Sequence, residues 1–221
     1  MTPFVTQSNS QFRPEAPYPL NSTFYIDDYN EVKSRGSRVG YTRTADEDEM
    51  GRFWAADRPS IMWNRFARNL ISSKKIDAWK TARLFALVHT AMADGNDQTA
   101  GDESWLPGVI DIPNPADPDM NVYTPPIPEY PSGPAAFGGA AAAVFALFFG
   151  NDYISVDQTN LTLPGITRHY FSIAQASREN ALARIFAGHY FRNACIKGEK
   201  QGQDIGQYVF NHSFRETGNN D

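Results

Sequence analysis

Apolar residues recur at helical spacing along most of the chain beyond residue 44. Thr44 stands as an N-cap ahead of ADEDEMGRFWAA, with acids in the first turn and Phe53 and Trp54 on the inward side. Arg58-Pro59 stops that helix, and Ser60 caps the next, IMWNRFARNLISS, whose Ile61, Trp63, Phe66, Ala67 and Leu70 fall on one face. In KIDAWKTARLFALVHTAMAD, residues 75–94, apolar positions from Ile76 and Trp79 to Val88 cover most of the circumference, which predicts a central helix. Ser132 opens a helix of very small residues around Gly138-Gly139-Ala140-Ala141, where a neighbouring backbone can approach closely. Two further helices are predicted over 167–188 and about 191–211, with a loop over 150–166.

Two stretches break the pattern. Residues 1–43 are expected to form an extended arm, and residues 95–131, dense in Pro, Gly and Asp, a long excursion with little regular structure. The expected organisation is an arm over 1–43, one helical domain over 44–215 and a polar tail over 216–221. No internal repeat is present. The fold class is all-α, a helical bundle.

Composition narrows the chemistry. Twenty basic and 25 acidic residues leave a net charge of −5, which argues against nucleic acid as a partner. Cys195 is the only cysteine, so neither an intrachain disulfide nor a multi-cysteine metal site can form. The longest apolar run, residues 135–149, is shorter than the roughly 20 residues a transmembrane helix needs. The N-terminus shows no signal-peptide pattern, and the compartment stays open. Asn21, Asn160 and Asn211 begin glycosylation-type tripeptides.

Several segments together resemble the vanadium-dependent haloperoxidase and type 2 phosphatidic acid phosphatase (PAP2) superfamily, especially its soluble bacterial haloperoxidase-like branch. They are WNRFARNL, TARLFALVHTAMAD, PPIPEYPSG followed by AAFGGAAA, RENALARIFAG and GQDIGQYV, in family order over most of residues 50–210. The resemblance implies a helical-bundle oxyanion site built from a Lys and Arg-Pro motif, a Pro-Ser-Gly-His motif, and a Ser-Arg motif followed by His and Asp. Cationic forks neutralise the oxyanion, a hydroxyl and a backbone N–H add hydrogen bonds, one histidine binds vanadium or attacks phosphorus, and the other moves protons.

Here the motifs are eroded. Pro131, Ser132 and Gly133 stand in place, but Pro134 occupies the acid–base histidine position. Arg184 remains, preceded by Ala183. Tyr190 stands where the ligand histidine is expected, Ala194 where its acid is expected, and His189 lies one position early. Residues 84–167 contain no Lys or Arg. The resemblance therefore leaves Ser132, Gly133 and Arg184 as an anion-binding remnant and His189 with Tyr190 as candidate catalytic groups. No metal ligand set is expected, and neither vanadate nor another cofactor. A Ca²⁺ reading of DGNDQTAGDES is weak, because Thr99 replaces the turn glycine. The leading expectation is a binding or assembly protein, with a protein partner or self-association, that has lost vanadate and phosphate chemistry. One alternative is a metal-free isomerase or cyclase holding a small organic ligand in the emptied pocket. The other is a haloperoxidase or acid phosphatase with an atypical site.

Overall fold

The computed structural model describes residues 2–37, 40–98 and 128–215. Seven helices and one hairpin follow in order: α1 (Thr23–Arg35), α2 (Ala45–Ala55), α3 (Pro59–Lys74), α4 (Ala78–Gln98), α5 (Gly133–Phe149), β1 (Tyr153–Thr159), β2 (Thr167–Ser172), α6 (Ile173–Phe186) and α7 (Arg192–His212). The helical bundle is as expected. Most of the predicted excursion over 95–131, and with it nearly all of the Ca²⁺ candidate loop, lies outside the described residues.

The α5–α7 crossing forms the centre. Four α7 or α5 glycines stand where a Cβ would meet backbone: Gly198 against the Ser132 carbonyl at 2.4 Å, Gly202 against that of Ala136 at 2.0 Å, Gly206 against that of Ala140 at 2.4 Å and Gly139 against that of Glu199 at 2.1 Å. Small residues on both helices bring the two backbones together, as the sequence of α5 predicts. The predicted central position of α4 is corrected. Leu84, Leu87 and Val88 are buried, but Trp79 is 87% exposed. Only one face of α4 packs against the α5–α7 pair.

Local capping chemistry sets several boundaries. Thr44 and Glu47 form a reciprocal capping box at the start of α2. Helix α3 begins two residues earlier than expected, with Arg58 as N-cap and Pro59 at its first position, where the missing N–H costs nothing. The arm is only partly extended. Ser22 accepts from the Tyr25 N–H and starts α1, which ends with Lys33 and Arg35 in its last turn.

The expected loop over 150–166 and the start of the expected helix at 167 are instead an antiparallel hairpin, β1 with β2. Residues 167–171 alternate, with Tyr170 inward and Phe171 outward, a period-2 pattern that overrides the helical reading. The hairpin is tied to α3. Gln158 donates to the Met62 carbonyl at 3.1 Å, and Arg65 donates to the Thr159 carbonyl at 2.8 Å. Asn160, the middle glycosylation candidate, is buried and donates to the Phe53 carbonyl at 2.7 Å, so that amide is committed to the core. A second knot lies at Glu179, which accepts from Trp54 at 3.0 Å, Tyr170 at 2.7 Å and Arg168 at 2.5 Å, joining α2, β2 and α6.

The first part of the arm is latched onto the end of α4. The fully buried Asp94 carboxylate accepts the N–H groups of Phe4, Val5 and Thr6 at 2.7, 3.0 and 2.9 Å. One member of the acidic stretch suspected of cation binding is thus spent on backbone amides.

Candidate functional site

Ser132, Arg184 and Tyr190 lie near Cys195, and His189 lies beside Arg184, between the start of α5, the end of α6 and the first turn of α7. Each is held by groups of this chain. Ser132 is the N-cap of α5. Its hydroxyl accepts from the Ala135 N–H at 3.4 Å and also hydrogen-bonds the Cys195 thiol, while its own N–H donates to the Ala194 carbonyl at 3.0 Å. Gly133 is the first residue of α5 and is half-buried. Pro134 follows in the first turn, and its carbonyl accepts from Asn180 at 2.8 Å.

Arg184 is 5% exposed. One guanidinium nitrogen, Nη2, donates to the Trp54 carbonyl at 2.8 Å and to Asn180 Oδ1 at 3.1 Å, and Nε donates to nothing among the described residues. Burial pushes its pKa down. The groups that oppose this are Tyr190 and Cys195, not a carboxylate. A buried guanidinium facing only neutral dipoles is costly to the fold.

His189 and Tyr190 lie beyond α6, in a turn where Gly188 takes φ +72°. Both of their N–H groups reach the Arg184 carbonyl, at 2.9 and 3.4 Å. Burial, with the Arg184 charge adding, lowers the His189 pKa to about 4, so the imidazole is neutral at physiological pH. Burial raises the Tyr190 phenol, against the pull of Arg184. The Cys195 thiol is pushed well up by burial and by the charge of Glu129, so it is not a reactive thiolate. Tyr190, Phe191, Ala194 and Cys195 pack with Val32, Ala135, Ala181, Ile185 and Phe186 in one apolar cluster.

The other histidines are engaged locally. His89 hydrogen-bonds Asn64 at 2.9 Å, and His212 bonds the Tyr208 carbonyl at 2.8 Å. His169 sits on the outer face of the hairpin between Asp157 at 2.6 Å and Ser155 at 3.5 Å. The order acid, imidazole, hydroxyl is that of a nucleophilic triad. However, the hydroxyl is at the limit of bonding distance and the Asp157 side chain is 70% exposed, so water competes for every contact and the trio reads as cross-strand pairing.

Glu129 is a residue that pattern reading passed over. It is 6% exposed, and its Oε1 accepts the Phe191 N–H at 2.6 Å. Burial, with Asp28 adding, raises its pKa to about 7. Its only sequence signal is an acid inside the proline-rich PPIPEYPSG. Among the described residues no group of three or more His, Cys, Asp and Glu side chains could hold a metal ion, and no helix is long and apolar enough to cross a membrane.

Comparison with known proteins agrees with this geometry at the level of fold. A bacterial vanadium-dependent iodoperoxidase matches with a TM-score of 0.73 and 28% identity, over 95% of this chain and 55% of that one. Apo- and holo-type bacterial vanadium-dependent chloroperoxidases match at TM-scores of 0.66 and 0.64 with 12% identity, over 95% of this chain and 54% and 52% of theirs, and share the fold. The chain spans about half the length of these relatives. No curated protein sequence matches it. The family model of the VCPO second helical-bundle domain matches residues 52–218, and the chain therefore belongs to that family, within the vanadium haloperoxidase/PAP2-like superfamily.

Proposed function

We propose that this chain has lost vanadate and phosphate chemistry and serves as a binding or assembly protein. The observation that carries this reading is how the remnant residues are used. Ser132 caps its own helix, Arg184 is spent on Trp54 and Asn180, and Tyr190 and Cys195 are packed in an apolar cluster with Ala135, Ala181 and Ile185. Vanadate does not fit these residues. A multiply charged oxyanion needs several convergent cations, and among the remnant residues Arg184 is the single cation, with its Nη2 already taken by Trp54 and Asn180. No step is therefore derived through that group. An isomerase or cyclase reading needs an open pocket, but Ser132 is fully buried and Tyr190 is 4% exposed.

The assembly half of the reading rests on the arm and α1. Leu20, Phe24 and Ile26, just before and at the start of α1, are 65%, 63% and 48% exposed, large apolar side chains left uncovered. The test has two arms. Orthovanadate titrated into the protein, with phosphate as competitor, is expected to show no binding up to millimolar concentration, and halide-dependent peroxide turnover is expected to be absent. Tight binding displaced by phosphate would overturn the reading. Sedimentation across a concentration series reads assembly, and Phe24→Asp is expected to shift any self-association towards the monomer.

A further inference from the structure

Trp79 falls on the apolar pattern of α4, yet at 87% it is the most exposed large apolar side chain among the described residues. It stands on the corner between α3 and α4, where residues 72–80 are exposed throughout except at Ile76. The corner reads KKIDAWK, three lysines and a tryptophan in seven residues. One turn on, Arg83 shares the Trp79 face of α4. Its guanidinium lies 5.6 Å from the Phe148 ring at the end of α5 and 5.4 Å from the Phe210 ring of α7, and its Nε donates to the Phe214 carbonyl at 2.6 Å. The start of α4 and the ends of α5 and α7 therefore meet here. Phe214 is 50% exposed, so two uncovered aromatic side chains bracket Arg83.

The charge at this end runs against that of the chain. Lys74, Lys75, Lys80, Arg83 and Arg215 stand here, on a protein of net charge −5. The nearby acids are committed to helix starts. Asp77 Oδ1 accepts the Lys80 N–H at 2.9 Å, and its other oxygen lies 3.5 Å from the Lys80 ammonium. Asp152 Oδ1 accepts the Ala174 N–H at 2.9 Å. Lys74, Lys75 and Arg215 form no ion pair among the described residues. A second copy of this chain is a poor receptor for them, because the acidic first turn of α2 is already neutralised: Glu47 pairs with Arg35, Asp48 with Arg43 and Asp46 with Arg168.

We infer that this end of the bundle docks onto a lipid surface bearing anionic headgroups, with Trp79 and Phe214 entering it and Lys74, Lys75 and Lys80 on the phosphates. Indole rings settle at the boundary between headgroups and acyl chains, and lysine stems lie along apolar surface while their ammonium groups reach the anions. The corner projects from the protein, and a bilayer deforms around a projecting side chain where a folded partner would need a matching pocket. Attachment of this kind lies on the membrane, in keeping with the lack of a spanning helix among the described residues. The inference names a partner for the binding reading but does not depend on the fate of vanadate chemistry. Vanadate binding would overturn that reading and leave this one standing.

The test is co-sedimentation of the full chain with vesicles of phosphatidylcholine, and with vesicles in which phosphatidylserine makes up about a third of the lipid. Binding to the anionic vesicles alone, weakened by added salt, is expected. Trp79→Ala removes a side chain that packs on little, so the fold is retained, and it should lower the partition coefficient at least about tenfold. Lys74→Gln combined with Lys80→Gln should lower it about 25-fold, at about fivefold per charge. Brominated acyl chains should quench the fluorescence of the wild type more than that of Trp79→Ala. Equal binding to neutral vesicles, binding to neither, or an unchanged partition coefficient in either variant overturns the proposal. Capture by soluble polyglutamate without binding to vesicles also overturns it, and assigns the face to an acidic protein.

Discussion

Substituting Glu129 by Gln should make the protein more stable, and only on the alkaline side. Glu129 is buried, and its carboxyl moves from an ordinary 4.5 to about 7, chiefly through desolvation, with the Asp28 charge adding and the Phe191 N–H opposing. The fold therefore prefers the protonated form. A raised acid contributes stability that is complete below the unfolded pKa and is lost as pH rises through the folded one. For Glu129 the loss runs from about pH 4.5 to about pH 7. At about 1.4 kcal/mol per pH unit, the full loss is about 3 kcal/mol. Gln is close in shape, never ionises and keeps the hydrogen bond from Phe191. Its difference from wild type should be small at pH 4 and approach about 3 kcal/mol in its favour at pH 8. The assay is urea unfolding of both proteins across that range, with Asp28 titrating in both. A variant that is less stable at pH 8, or one whose difference from wild type does not change with pH, would refute the reasoning.

Three further outcomes follow from the packing. Gly202→Ala places a Cβ 2.0 Å from the Ala136 carbonyl oxygen, a clash with backbone that should cost at least about 3 kcal/mol, read as a fall in Tm or failure to fold. Gly95→Ala meets its nearest atom at 3.8 Å and should stabilise α4 by up to about 1 kcal/mol. Asp94→Ala strands three amides, so hydrogen exchange at Phe4, Val5 and Thr6 should quicken sharply, with about 2–4 kcal/mol lost; unchanged exchange there would show that the latch is not what orders the arm.

The legible parts of the chain are those whose physics is short-range. Thr44 with Glu47 is a capping box within four residues, and the period of apolar residues in α3 and α6 follows from helix geometry alone. The run of Gly and Ala in α5 announces a close helix approach, though not its partner. The hairpin is not legible, because its alternation is only five to seven residues long and adjoins the helical pattern of α6. The family motif positions were legible in order. Pro134, Tyr190 and Ala194 were legible as departures from the residues that the resemblance implies there.

What each surviving residue does was decided by the tertiary structure. Nothing near Arg184 in sequence says that its guanidinium ends on the Trp54 carbonyl, 130 positions away. Nothing near Asp94 says that its partners are the amides of residues 4–6. Glu129 looks like an ordinary acid in a proline-rich segment, yet burial beside Asp28 and the start of α7 changes its charge state. Desolvation and pairing depend on which distant segments exclude water from a group, and that is settled only when the helices pack. The sequence by itself determined the helical bundle and its family. Packing alone decided which distant groups Ser132, Arg184 and Glu129 meet, and that Asp94 holds the amides of residues 4–6.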